Sequence, residues 1–309
     1  MRSLPLLLLF VVPTILPAQG ESKSWLSLSR LSLSLGGAFA FAPWGQFNDA
    51  YQNLRDAIGY STFYPSPEGH IRKIRGDVMF RFSGRYRISG GLSAVLFGEY
   101  GGTSSELLLK QYYGETIYGP NPPIEGTTHT WQHTFEFRAR TVGAGLDYAF
   151  DVIPPVRGHI FARAGFAKGS LDITYSDELE RVTKERFVFP LTDHGILLAA
   201  GYGFSTPLWG PLDVEATIEY RALRFTDMHG TGAYTRDEPY INYHYEQSID
   251  AFLASGGTYY GVKTTNSFPD GYYLYRLWTE SGMTNIPALS KATLDLSGIS
   301  VQAQLVFQF

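Results

Sequence analysis

The sequence predicts an all-β fold: one closed antiparallel transmembrane β-barrel, with eight strands as the leading count and ten as the alternative. Three observations predict it. Eight runs alternate apolar and polar residues with a period of two, the links between them alternate between short and long, and the polar face of most runs carries charge. A helix would repeat every 3.6 residues instead.

Composition excludes several classes. The 309 residues hold 25 Lys plus Arg against 29 Asp plus Glu, a net charge of -4 that gives no nucleic-acid footprint. Aromatics at 15% and 33 glycines are high, and 17% charged residues is low, for a water-soluble enzyme. The absence of cysteine rules out disulfides, thiol catalysis and Cys-based metal centres. No cofactor is expected.

At the N-terminus Arg2 precedes an apolar core from Leu4 to Leu16, and Ala18-Gln19-Gly20 offers small residues for cleavage. Residues 1–20 are expected to be a cleavable signal peptide and 21–309 the barrel domain. No other stretch of about 18 apolar residues exists, so membrane crossing must use strands.

The first strand puts Leu31, Leu33, Leu35, Gly37, Phe39 and Phe41 on one face. The second sets Val78, Phe80, Phe82, Tyr86 and Ile88 against Arg81, Arg85 and Arg87, and Ser89-Gly90-Gly91 turns the chain. The third carries Leu92, Ala94, Leu96 and Tyr100 opposite Glu99. In the fourth, about Trp131 to Phe150, the apolar phase changes between Phe135, Phe137, Ala139 and Val142, Leu146, Tyr148, Phe150; a bulge near Arg140 and Thr141 is expected to reconcile them. Ile160 to Phe166, Ile196 to Phe204, Leu212 to Tyr220 and Ile299 to Phe309 supply the remaining four.

Short turns follow the second, fourth and sixth strands, whereas the links near 43–76, 112–128, 176–186 and 228–290 are mostly long. This asymmetry implies short periplasmic turns and long extracellular loops. Phe41, Tyr100, Tyr148, Phe204 and Tyr220 fall where interfacial aromatic girdles should lie. An eight-stranded interior is just wide enough for side chains. A lumenal charge network is therefore expected from Arg81, Arg85, Arg87, Glu99, Glu136, Arg138, Asp147, Arg163, Glu215, Glu219 and Arg221, with the Arg-rich second strand facing the acid-rich seventh. A β-sandwich would present these charges to water.

In loop one, Phe47, Tyr51, Leu54 and Ile58 have helical spacing after Asn48 or Asp49, which predicts a short amphipathic helix. Loop four, about sixty residues, accumulates Tyr234, Tyr240, Tyr243, Tyr245, Tyr259 and Tyr260. These are a candidate surface for an extracellular ligand, or simply the packing of the loop on itself or an extension of strands seven and eight as a hairpin beyond the membrane. If Tyr240 to Tyr245 and Gly271 to Trp278 formed one more barrel hairpin, the count would be ten.

The last residues, Val301, Ala303, Leu305, Phe307 and the terminal Phe309, resemble the signal by which outer-membrane barrels are recognised by the barrel-assembly machinery. The whole resembles the small eight-stranded barrels of OmpA, OmpX and OmpW type, and Gly36 to Gly45 is similar to the first strand and loop of such porin-like domains. The resemblance implies a bacterial, Gram-negative cell-envelope location in contact with outer-membrane lipid. The chain is expected to depart from the OmpA pattern, with no peptidoglycan-binding domain after the last strand.

No catalytic or metal constellation stands out. His129 and His133 bracket Trp131 as an aromatic rim, His229 and His244 near Asp227, Asp237 and Glu238 would need loop four to gather them, and Asp193-His194 has no serine beside it. The expected function is a non-enzymatic barrel presenting loops one and four for binding or envelope integrity. A conduit for small or hydrophobic solutes is the rival, and a lipid-modifying enzyme the third class.

Overall fold

The computed structural model describes residues 28–42, 44, 48, 68–114, 126–253, 259–264, 271–276 and 294–309, and for residues 247, 249–253, 259–264 and 271–276 the backbone alone. The signal segment 1–20 and, apart from Asn48, the helix expected over 47–58 lie outside the described residues.

Eight strands close a ring: β1 (Leu31–Phe41), β3 (Asp77–Ser89), β4 (Leu92–Tyr113), β5 (Thr127–Ile153), β6 (Val156–Leu179), β7 (Thr183–Trp209), β8 (Leu212–Phe225) and β14 (Gly298–Gln308). Each pairs antiparallel with the next, and β14 returns to β1 through Ser32↔Gln308 to Phe41↔Ile299. Closure leaves no free edge around the ring, so its backbone donors and acceptors satisfy one another.

Two-residue turns join β3 to β4, β5 to β6 and β7 to β8 at one end. Gly90 and Gly210 occupy positive φ there (47° and 55°), which a residue without a Cβ adopts at no steric cost. The first and last ring strands meet at the same end, where the Phe309 N–H donates to the Leu31 carbonyl at 3.2 Å.

The far end differs from expectation in three ways. The link near 176–186 is not long: β6 and β7 run on until only Glu180, Arg181 and Val182 join them, with Arg181 left-handed at φ 61°. The stretch 228–290 carries further strands rather than loop alone. β9 (His229–Glu238) leaves β8 to pair with the upper part of β7, and β10 (Tyr243–Leu253), β11 (Tyr259–Thr264) and β12 (Gly271–Arg276) continue outward from it. Finally, β2 (Glu68–Arg72) pairs the upper part of β4, and β13 (Leu294–Asp295) the top of β8. Tyr240 to Tyr245 thus do sit on a hairpin, but it lies outside the ring, which keeps eight strands.

The bulge expected near Arg140 and Thr141 is absent. β5 pairs β4 and β6 in unbroken register through these residues, its one irregularity lying at Asp151/Ile153. The apolar phase changes because the environment does. Below this level Val142, Leu146, Tyr148 and Phe150 point outward and are exposed; above it Phe135 and Phe137 point inward and are buried.

Every long strand makes the same exchange. Toward the short turns the outer face is apolar (Leu96, Ile160, Phe166, Ile196, Leu198, Tyr202, Ile299, Leu305) and the inner face carries the buried charges, with Val95, Phe97 and Phe161 among them. Toward the other end Phe135, Phe137, Leu171, Ile173, Phe187, Phe189, Leu191, Leu197 and Phe225 fill the inside as one core, which Trp44 joins with its ring centroid 5.6 Å from that of Phe135. The outer face there is polar, with Glu136, Arg138, Asp172 and Lys184. Arg140, Lys168 and His194 are register neighbours across β5, β6 and β7 and mark the level of the exchange.

Candidate functional site

The lower interior is a dense polar layer. Among the described residues Arg81, Arg85, Arg163 and Arg221 are buried there with Asp77, Glu99, Asp147, Glu215 and Glu219. All sit on inward positions of their strands, so the two-residue alternation that sends Phe82 and Ile218 outward sends these inward.

Arg81 is the hub. Its Nη1 and Nη2 reach the two oxygens of Glu219 at 3.1 and 2.5 Å, its Nε donates to Glu99 Oε1 at 2.5 Å, and it also meets Gln302. Arg85 grips Glu215 with two bonds of 2.6 Å each. These fork-on-carboxylate pairs join β3 to β8, which are separated around the ring by β1 and β14, and so tie the lumen from wall to wall. Arg221 Nη2 reaches Glu99 at 2.7 Å, and Gln304 donates to Glu215 at 2.5 Å. Arg163 stands 3.6 Å from Glu219 and lies over the Phe161 ring at 4.1 Å from its centroid. Room for these side chains comes partly from glycine: a Cβ on Gly143 would lie 2.6 Å from the tip of the Phe97 ring and 2.2 Å from the Ala164 carbonyl oxygen.

Three expected members of this network sit elsewhere. Glu136 and Arg138 are on the outer face, about half exposed, with Arg138 Nε 2.9 Å from Glu136 Oε1. Their assignment to the lumen fails because β5 passes the level of sidedness exchange between Arg138 and Val142 while its parity stays fixed. Arg87 keeps an inward position but lies exposed at the short-turn mouth.

That mouth holds a cavity of about 300 Å³ lined by Arg30, Arg87, Arg157, Asp147, His159 and Ser205 among others. His159 Nε2 is 2.7 Å from Ser205 Oγ, and its Nδ1 is 3.3 Å from Asp147 Oδ1. His159 and Ser205 escape a reading of the sequence alone. They become neighbours through the β6–β7 register, which runs unbroken from Leu179↔Thr183 beside the Glu180–Val182 link to Arg157↔Ser205, and each follows the inward parity of its strand.

In the upper region, His129 bonds Asp177 and lies on Trp131 with ring centroids 3.7 Å apart. Burial drives the His133 imidazole down to about 3, so it stays neutral in the fold. The unfolded chain takes up a proton there below about pH 6.5, where the folded chain does not. Stability from this group is therefore full above about 6.5 and is lost as pH falls toward about 3. Proteolysis of the 127–137 segment is expected to rise steeply below about pH 6, and a His133→Phe variant to flatten that rise; equal pH dependence would refute the assignment.

The remaining sequence candidates are scattered. His229 bonds the Asp227 carbonyl at 2.8 Å while His244 pairs with Asp237 at the opposite end of the β9–β10 hairpin, so no shared site forms; Asp237 raises the His244 pKa through that hydrogen bond. Asp193 accepts from the backbone of His194 and of Asp227.

Tyr234 stacks on Phe187 at 4.5 Å, and burial together with the Glu185 charge pushes its phenol up to about 12. Tyr240, Ile241, Tyr243 and Tyr245 form the hairpin tip, with Ile241, Tyr243 and Tyr245 exposed. Of Tyr259 and Tyr260 the backbone in β11 is described. Val301, Ala303, Leu305 and Phe307 alternate outward along β14, followed by Phe309.

No family model matches the chain, and no curated protein matches it. Among solved structures it is similar to a major outer membrane protein from Thermus thermophilus, at 9% identity and TM-score 0.39, over 90% of this chain and 99% of that one. It is also similar to the translocator domain of the autotransporter NalP from Neisseria meningitidis, at 8% identity and TM-score 0.19, over 90% and 87% of the two chains.

Proposed function

We propose that this chain is an outer-membrane β-barrel protein whose lumen is closed by its own ion pairs and whose extended strands display a binding hairpin outside the cell. The sidedness exchange carries this reading. Apolar side chains cover the outer wall of the lower ring; on β5 they run from Val142 to Val152, about the nine to eleven residues that a tilted spanning strand needs. Such a belt around a charged interior suits lipid outside, whereas the upper region, apolar within and charged without, suits water. The cationic row Arg140, Lys168 and His194 then falls at headgroup level.

The orientation follows from the short turns, which in outer-membrane barrels face the periplasm. The β9–β10 tip, with Tyr240, Ile241, Tyr243 and Tyr245, then points away from the cell and offers rigid rings with polar edges to an extracellular partner. The outward row Val301, Ala303, Leu305, Phe307 and Phe309 supplies the contact for the assembly machinery.

Closure is tested in planar bilayers. The purified protein is expected to give no unitary conductance at neutral pH, because the Arg81–Glu219 and Arg85–Glu215 pairs cross the bore. Reproducible single-channel steps would overturn the closed lumen and favour a solute conduit.

A further inference from the structure

The cavity at the short-turn mouth contains an arrangement that neither closing the lumen nor binding at the opposite end requires. We propose that Ser205 and His159, oriented by Asp147, form a hydrolytic site for a short carboxylic ester that carries an anionic group.

Three features carry the proposal. Asp147 on β5, His159 on β6 and Ser205 on β7 are inward residues on three successive strands, and their contacts form one chain from Asp147 Oδ1 to Nδ1 and from Nε2 to Oγ. A carboxylate accepting from Nδ1 fixes the tautomer in which Nε2 is free to accept the serine proton. The strands themselves hold this geometry, which makes it firmer than a constellation built on loops. Second, all three side chains line a cavity open at the mouth, large enough for a small ester.

Third, the cationic equipment is in place. Backbone N–H groups in a ladder are already engaged, so side chains must meet a developing oxyanion. Arg157, the register partner of Ser205, lines the same cavity with a guanidinium whose nearest carboxylate, Asp151, is 3.8 Å away. Arg30 and Arg87 line it too, make no ion pair among the described residues, and would hold the anionic group of the substrate.

The chemistry balances with water as the only co-reactant. Ser205 Oγ bonds the acyl carbon while its proton passes to His159 Nε2; the carbon–alkoxide bond breaks and Nε2 returns that proton to the leaving alcohol. Water then attacks the acyl-serine, giving its proton to Nε2, and the acid leaves as Oγ is reprotonated. Ser205 and His159 are the catalytic residues. Asp147 acts through His159 as a positioning residue.

The test uses the mature chain in detergent micelles, with folding monitored by heat-modifiable gel mobility. An alkyl fluorophosphonate is expected to form an adduct at Ser205, and not at Ser29, Ser32 or Ser93, which line the same cavity. The labelling rate should drop about 100-fold in folded His159→Gln and vanish in Ser205→Ala. Hydrolysis of 4-nitrophenyl hemisuccinate should follow the same order, with Asp147→Asn lowering kcat at little change in KM and Arg87→Ala raising KM. A merely structural Ser205 predicts no adduct, equal labelling of Ser29, Ser32 and Ser93, or a rate indifferent to His159→Gln; any of these overturns the proposal. Should His159→Gln fail to fold, the selectivity among the four serines in the wild type still decides.

Discussion

Replacing Arg81 with leucine is expected to lower the unfolding free energy by about 3–5 kcal/mol, measured by urea titration in lipid vesicles. Arg81 is almost fully buried and holds both Glu99 and Glu219. A leucine leaves those carboxylates inside with less compensation: Glu99 keeps Arg221 at 2.7 Å, while Glu219 keeps Arg221 at 3.4 Å and Arg163 at 3.6 Å, beyond a good hydrogen bond. The cost therefore comes from an uncompensated buried charge rather than from the lost attraction itself. Adding Glu219→Gln to Arg81→Leu should recover part of the loss. By contrast Arg138→Leu breaks a pair whose members are each about half exposed, and should change stability by less than about 1 kcal/mol. Equal effects from Arg81→Leu and Arg138→Leu would refute the division between inner and outer charges.

The second large effect belongs to the outer wall. Leu198→Arg is expected to cost about 1–4 kcal/mol in a bilayer, the depth-dependent penalty for a guanidinium on a lipid-facing strand inside the hydrocarbon. Leu198 points outward and is 55% exposed, so nothing in the protein would hinder the larger side chain. Thr134→Arg makes a similar change on an outward position of β5 above the exchange level, among residues such as Glu136 and Gln132, and should be neutral within about 0.5 kcal/mol. The pair isolates the medium outside the wall, because strand conformation and introduced charge are matched. A Leu198→Arg variant as stable as wild type would mean that water bathes the lower belt.

How much is legible in the sequence follows from what alternation can encode. A period of two assigns sides, so the outward rows of β3, β8 and β14 and the inward Arg81, Arg85, Glu215 and Glu219 can be read directly. It does not encode the medium on each side. Phe135 and Phe137 read as lipid-facing when apolar is equated with outward, and Glu136 and Arg138 then read as lumenal for the same reason. The fixed register of β5 shows that parity holds while the surroundings change. The β9–β10 hairpin leaves a weaker trace, because its strand residues Tyr243, Tyr245 and Ile249 stand among Glu, Gln and Asp with no lipid face to enforce a pattern. His159 and Ser205 need the pairwise register of β6 and β7, which the Glu180–Val182 link sets and which no single-strand pattern displays.

Lipid contact along the lower outer wall is the claim on which the other assignments rest. Nitroxide labels placed one at a time at positions 198 and 134, in the protein reconstituted into bilayers, test it through collision with oxygen and with a water-soluble nickel chelate. The label at 198 is expected to be oxygen-accessible and shielded from nickel, and the label at 134 to be the reverse. Nickel access at both positions would contradict the account.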